Sequence, residues 1–74
     1  MKHIWIVEWD TENFRFRAVG ASPPAAFATA KALWETHKRQ YRATTSWTKA
    51  VADYDIVARE VTLGVGYRDG EPVT

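Results

Sequence analysis

The stretch HIWIVEWDTENFRFRAV, residues 3–19, decides the fold of this chain. Residues 3–9 are mostly β-branched and aromatic, and residues 14–19 alternate apolar with basic side chains, a pattern typical of two strands. Between them, Asp10 to Asn13 are turn-forming residue types. The stretch therefore predicts a β-hairpin.

An even loop length would give this hairpin two different faces. The opposed pairs on the first face are Trp9 with Phe14, Val7 with Phe16 and Trp5 with Ala18. This first face is wholly apolar. The opposite face carries Ile4, Ile6 and Val19, and it also carries Glu8, which we expect to pair with Arg15 across the two strands.

A long amphipathic helix follows the hairpin. Gly20 ends the second strand, and Pro24 suits the first helical position, with Pro23 as the expected cap. Apolar and aromatic side chains then recur at spacings of three and four. They are Phe27, Ala30, Trp34, His37 and Tyr41. The spacing predicts a helix over residues 24–42.

Residues 46–63 allow two interpretations. Residues 54–63 are rich in β-branched side chains, with Val57, Val61 and Leu63 on one alternating face, which favours a third strand. Residues 46–52 would then form a short helical turn. The alternative is a second helix through this region, because its apolar residues also fall at helical spacing.

The last residues, 64–74, are predicted to be a flexible tail or a C-terminal edge strand. Gly64 and Gly66 loosen the chain, and Arg68-Asp69-Gly70 has the composition of a turn. With only seventy-four residues, the chain has room for one domain, spanning 1–74. The predicted fold class is α+β, with a hairpin, one long helix and a third strand in ββαβ order.

The core must come from large side chains, because the chain has no cysteine for a disulfide or a thiolate zinc site. Four Trp, three Phe and three Tyr supply them. We expect the following residues to be mostly buried: Trp5, Val7, Trp9, Phe14, Phe16, Phe27, Ala30, Leu33, Trp34 and Val57.

The charge balance limits the classes of partner. A formal net charge of +1 is too small to indicate nucleic-acid or membrane binding by overall field, and it excludes an acidic mimic of DNA. The apolar run that begins at Ile4 is interrupted by Glu8 and Asp10, far short of a signal peptide core or a membrane span. We expect a cytoplasmic protein that does not bind membranes.

Catalytic and metal-binding patterns are weak. Nucleophilic catalysis would need Ser22 or Ser46 beside His3 or His37, yet both serines have the sequence context of helix caps. Asp53 and Asp55 would supply only two ligands to a cation. We therefore predict no catalytic residues, no metal, no cofactor and no small-molecule ligand.

The hairpin face that does not receive the helix suggests a function. Its aliphatic residues Ile4, Ile6 and Val19 need a cover, and Arg15 and Arg17 lie beside them. We predict a non-catalytic protein–protein interaction module that binds a partner protein, or a second copy as a homodimer, through this face.

A small nucleic-acid-binding domain is the alternative function. Basic side chains beside aromatic ones suit phosphate contact combined with base stacking. Five residues would make these contacts: Arg15, Arg17, Lys38, Arg39 and Arg42. Tyr41 and Trp47 are near three of them in sequence.

Two resemblances bear on the biological role. The hairpin, the Gly20-Ala21-Ser22 turn and the Ala-rich helix are similar to the start of HicB-type antitoxins over barely half of the chain. The third strand expected there before the helix is missing, so the chain is not assigned to that family. In its small size and its Trp and Ala content the chain resembles bacteriophage accessory proteins, which implies a host factor as partner.

Overall fold

The structure, a computed structural model, describes residues 3–69 and 71–73 and has the expected α+β architecture. Its elements are β1 (His3–Asp10), β2 (Arg15–Gly20), α1 (Pro23–Tyr41), α2 (Trp47–Asp53), β3 (Ala58–Thr62), β4 (Gly66–Arg68) and β5 (Glu71–Val73). The first three strands form an antiparallel sheet in the order β2-β1-β3, while β4 and β5 pair separately. Within the described residues, no helix is both long enough and apolar enough to cross a membrane.

The hairpin pairing differs from the prediction by two residues. Observed pairs are Trp9 with Phe16, Val7 with Ala18 and Trp5 with Gly20. The loop occupies residues 11–14 because the Thr11 amide donates to the Phe14 carbonyl at 2.8 Å and the Phe14 amide donates to the Thr11 hydroxyl at 3.2 Å. Since the shift is even, each side chain stays on its predicted face.

The side of the sheet that carries Trp5, Val7 and Trp9, which we call the front face, packs against α1. Trp9 stacks on Phe16 with ring centroids 4.8 Å apart and planes 13° from parallel, and Trp34 meets both rings at an angle. The buried apolar residues of this layer are Val7, Trp9, Phe16, Ala18, Ala26, Ala30, Trp34, Ala50 and Ile56. Trp5, Phe27 and Leu33 pack at its margin.

Two predicted core residues are outside this layer. Phe14 is 38% exposed because it belongs to the hairpin loop, and Val57 is 67% exposed. The third strand starts at Ala58, four residues later than predicted, because the chain first bonds back to α2 through the Ile56 amide and the Val51 carbonyl. Ile56 consequently occupies the core position that the alternating pattern assigned to Val57.

The start of α1 corrects the predicted cap. Ser22 is the N-cap, its hydroxyl accepting from the Ala25 amide at 3.2 Å, and Pro23 and Pro24 fill the first two helical positions. Both prolines fit there because the first amides of a helix have no intrahelical partner. The helix ends at Tyr41, followed by a left-handed Arg42 with φ of 54°.

The segment after α1 returns to the front face. The Trp34 indole donates to the Thr45 carbonyl at 3.0 Å, and Trp47 meets Trp9 edge-on at 5.5 Å. Residues 47–53 are helical, which confirms the predicted helical turn at 46–52, whereas the alternative of a helix continuing through Val61 is wrong.

The C-terminal segment forms a small hairpin of its own. β5 pairs with β4 as a two-stranded sheet separate from the three-stranded one, so residues 71–73 form a strand, as one of the two predictions for the tail has it. The Tyr67 hydroxyl accepts from the Thr62 amide at 3.0 Å and ties this hairpin to the end of β3. Gly70, assigned to the predicted turn, and Thr74 are outside the described residues.

Candidate partner-binding groove

The side of the sheet opposite α1, which we call the back face, carries the predicted partner-binding residues. Ile4 and Ile6 of β1 alternate with the front-face residues, and Val19 and Arg17 of β2 are opposite Ile6 and Glu8. The two isoleucines are half-buried, and Val19 is 45% exposed. The structure thus brings the predicted aliphatic residues together on one surface.

This surface has an apolar half and a charged half. Ile4 is opposite Val61 of β3, and Ile6 is opposite Val19 of β2, so the aliphatic residues form one block. Towards the hairpin loop the same face carries carboxylate and guanidinium groups. They are Glu8, Asp10, Arg15 and Arg17, and Arg59 of β3 reaches Glu8 from its position opposite Ile6.

The segment after β3 adds a second wall. Val61 is buried on the back face, and a groove of about 410 Å³ lies between the sheet and residues 63–69. Ile6 and Val61 line the sheet side, and Tyr67 lines the other wall together with Asp69. Sequence reasoning missed this wall, because nothing in the glycine-containing stretch indicates which face of the sheet it approaches.

Glu8 holds two guanidinium groups at the groove. One carboxylate oxygen accepts from Arg59 at 2.7 Å and the other accepts from Arg17 at 3.1 Å. The predicted pairing of Glu8 with Arg15 is wrong. The two-residue shift of the hairpin places Arg15 opposite Asp10, and those side chains are 3.1 Å apart.

The arginines also control the charge of Glu8. The hydrogen bond from Arg59 lowers the pKa of Glu8, partial burial opposes this shift, and Arg17 lowers the pKa further. Glu8 is therefore ionised at neutral pH. Arg17 and Arg59 each donate to Glu8 through one terminal nitrogen, so each guanidinium group retains other N–H donors. The hydrogen bond to Glu8 holds each group in place.

The five basic residues of the nucleic-acid alternative do not form one surface. Arg15 and Arg17 lie on the back face, whereas Lys38, Arg39 and Arg42 are at the C-terminal end of α1, on the other side of the sheet. An interface that uses all five at once would have to wrap around the edge of the sheet.

A cluster of aromatic side chains lies between the hairpin loop and the C-terminal end of α1. Phe14 of the hairpin loop contacts His37 and Tyr41 of α1, and the three ring centroids are 4.9–5.0 Å apart. We call this set the aromatic step. The spacing of apolar residues predicted that His37 and Tyr41 are on the packing side of the helix. It did not predict that Phe14 contacts both of them while remaining partly exposed.

The residues considered for catalysis have structural roles. Ser22 and Ser46 are the N-caps of α1 and α2, and His37 packs among aromatic rings. His3 is 3.5 Å from the Glu60 carboxylate. Over residues 3–69 and 71–73, no three His, Cys, Asp or Glu side chains are grouped so as to hold a metal ion.

Comparisons with known protein families, with curated proteins and with solved structures found no match for this chain.

Proposed function

We propose that this protein is a non-catalytic protein–protein interaction module that binds its partner in the groove on the back face. The observation that carries the proposal is the incomplete cover of this face. Helix α1 seals the front of the sheet, whereas residues 63–69 form a wall beside Ile6 and leave Val19 exposed. Burial of such a surface by another protein is favourable.

The chemistry of the groove indicates what the partner presents. An aliphatic centre with arginine at its margin is the composition of a protein interface. The partner would place an apolar side chain against Ile6 and Val61, and would offer carbonyl or carboxylate oxygens to the remaining donors of Arg17 and Arg59.

These donors favour a different protein over a second copy. Glu8 and Asp10, the two carboxylates of the sheet's back face, already accept from arginines of the same chain. A second back face would therefore bring three further arginines for one groove carboxylate, Asp69, that is in none of these ion pairs. In line with the resemblance to bacteriophage accessory proteins, we propose a host-cell protein as the partner. We also propose that the protein acts in the cytoplasm, because the absence of cysteine fits a reducing compartment.

Site-specific photo-crosslinking tests this proposal. A photoreactive amino acid is introduced at Val19 on the back face, and separately at Ala28 on the exposed side of α1 as the matched control. After irradiation in an extract of the source cell, the Val19 probe is expected to yield a discrete adduct, identified by mass spectrometry, that disappears when Ile6→Glu is added. The Ala28 probe is expected to yield no such adduct.

Two results contradict the proposal. Adducts that form equally from Val19 and Ala28, or that survive Ile6→Glu, would show that the groove does not select a partner. An adduct whose mass is that of two copies would replace the host-cell partner with a homodimer, and sedimentation at increasing protein concentration would verify that outcome.

A further inference from the structure

The C-terminal end of α1 carries a second surface of different chemistry. The aromatic step continues the core outwards, since His37 contacts the buried Trp34 at 5.2 Å and Phe14 at 5.0 Å. At its outer end Tyr41 is 59% exposed. The Tyr41 ring is therefore accessible to solvent, while the rings beneath it pack against the core.

Basic residues are concentrated in this part of the chain, and two of them, Lys38 and Lys49, are in ion pairs with Glu35 and Asp53. Residues 36–52 include four basic residues and no acidic residue. Lys38, three residues before Tyr41, is on the same side of α1, and Arg42 follows Tyr41 directly as the left-handed C-cap. Among the residues that the structure describes, Arg39 and Arg42 form no ion pair, whereas Arg15, Arg17 and Arg59 each contact a carboxylate.

We propose that the aromatic step and the adjoining cations bind single-stranded nucleic acid. An unpaired base would stack on Tyr41, and Arg42, the next residue along the chain, would contact a neighbouring phosphate. Exposed aromatic rings beside cations match this ligand because every base offers a flat face and every linkage offers a negative charge. The surface is separate from the groove, so this activity does not depend on the protein partner proposed above.

Fluorescence anisotropy with labelled oligothymidylate tests the proposal through two independent readouts. Tyr41→Ala is expected to weaken binding about 5- to 150-fold, the loss of one stacked base, without changing the salt dependence. Arg42→Gln is expected to make the slope of log affinity against log salt shallower by about 0.7, the value for one phosphate of a single strand. Tyr41→Phe retains the ring and should bind like the parent protein.

Arg17→Gln on the back face is the matched control for charge and should leave oligonucleotide binding unchanged. Circular dichroism verifies that each variant is folded. We expect Tyr41→Ala to fold, because the Tyr41 side chain is exposed. The proposal is overturned if no oligonucleotide is retained at low salt, or if Tyr41→Ala binds as tightly as the parent. It is equally overturned if Arg17→Gln weakens binding as much as Arg42→Gln, because the site would then be on the hairpin.

Discussion

The front and back faces share one strand, yet they are built for different tasks. In β1 the odd-numbered Val7 and Trp9 are buried beneath α1, whereas the even-numbered Ile4 and Ile6 remain half-buried on the other side. A strand with apolar residues at both odd-numbered and even-numbered positions is typically buried on both sides. Intramolecular packing completes the front face, whereas the back face receives one additional wall from residues 3–69 and 71–73.

The largest expected difference between the faces is in the free energy of unfolding. Trp34→Ala should reduce it by about 3–5 kcal/mol, because the indole fills the centre of the front layer. Val19→Ala on the back face should change it by less than about 1 kcal/mol, since that side chain is already in partial contact with water. Urea unfolding of the two variants measures both, and equal losses would contradict the division of the sheet into a structural face and a binding face.

Close packing of the front face can also be tested at Gly20. A methyl group there would be 2.4 Å from the Ala26 amide nitrogen on α1, so Gly20→Ala should cost about 1–3 kcal/mol as the helix is forced away. Gly66→Ala is the matched control, because an added methyl group at Gly66 meets no atom within 4 Å. A thermal melt in which both variants unfold together would refute the close approach of α1 to β2.

Sequence reasoning succeeded where a periodic pattern was long. The spacing of apolar residues located α1 to within one residue at each end, and strand alternation assigned Ile4, Ile6 and Val19 to a common face. Parity explains this success, because an even shift in pairing leaves every face unchanged. The arrangement of the aliphatic part of the candidate site was therefore predictable.

The predictions from sequence were wrong where a few local hydrogen bonds determine the structure more strongly than the pattern of apolar residues. The loop bonds between Thr11 and Phe14 shifted the hairpin by two residues, and this gave Glu8 different arginine partners. The hydrogen bond from the Ile56 amide to the Val51 carbonyl makes β3 begin later than predicted. As a result Ile56 is buried in place of Val57. No residue pattern in 63–69 specifies its contact with the back face, so the second wall of the groove was not predictable.

A smaller effect is expected from the charged half of the back face. Since the pKa of Glu8 is lowered in the folded protein, its ionised form stabilises the fold above the ordinary carboxyl pKa. This contribution is lost as the pH falls through the lowered value. Glu8→Gln should therefore cost about 0.2–1 kcal/mol at neutral pH, and less in acid.

Urea unfolding of the parent and Glu8→Gln at neutral and acidic pH gives this comparison. A cost for Glu8→Gln that does not diminish in acid would mean that the contacts of Glu8 with Arg17 and Arg59 do not contribute through charge. Asp10→Asn is a suitable control, because Asp10 also pairs with an arginine but both side chains of that pair are mostly exposed.

The most direct test of the central claim measures stability and crosslinking on the same variant, Ile6→Glu. Ile6 is half-buried on the back face and lines the groove, so we expect Ile6→Glu to lose no more than about 1–2 kcal/mol in unfolding free energy. The adduct from the Val19 photoprobe should nevertheless disappear, whereas Ala28→Glu, which adds the same charge on α1, should retain it. An Ile6→Glu variant that unfolds as readily as Trp34→Ala, or one that keeps the adduct, would contradict the claim that the back face is a binding surface.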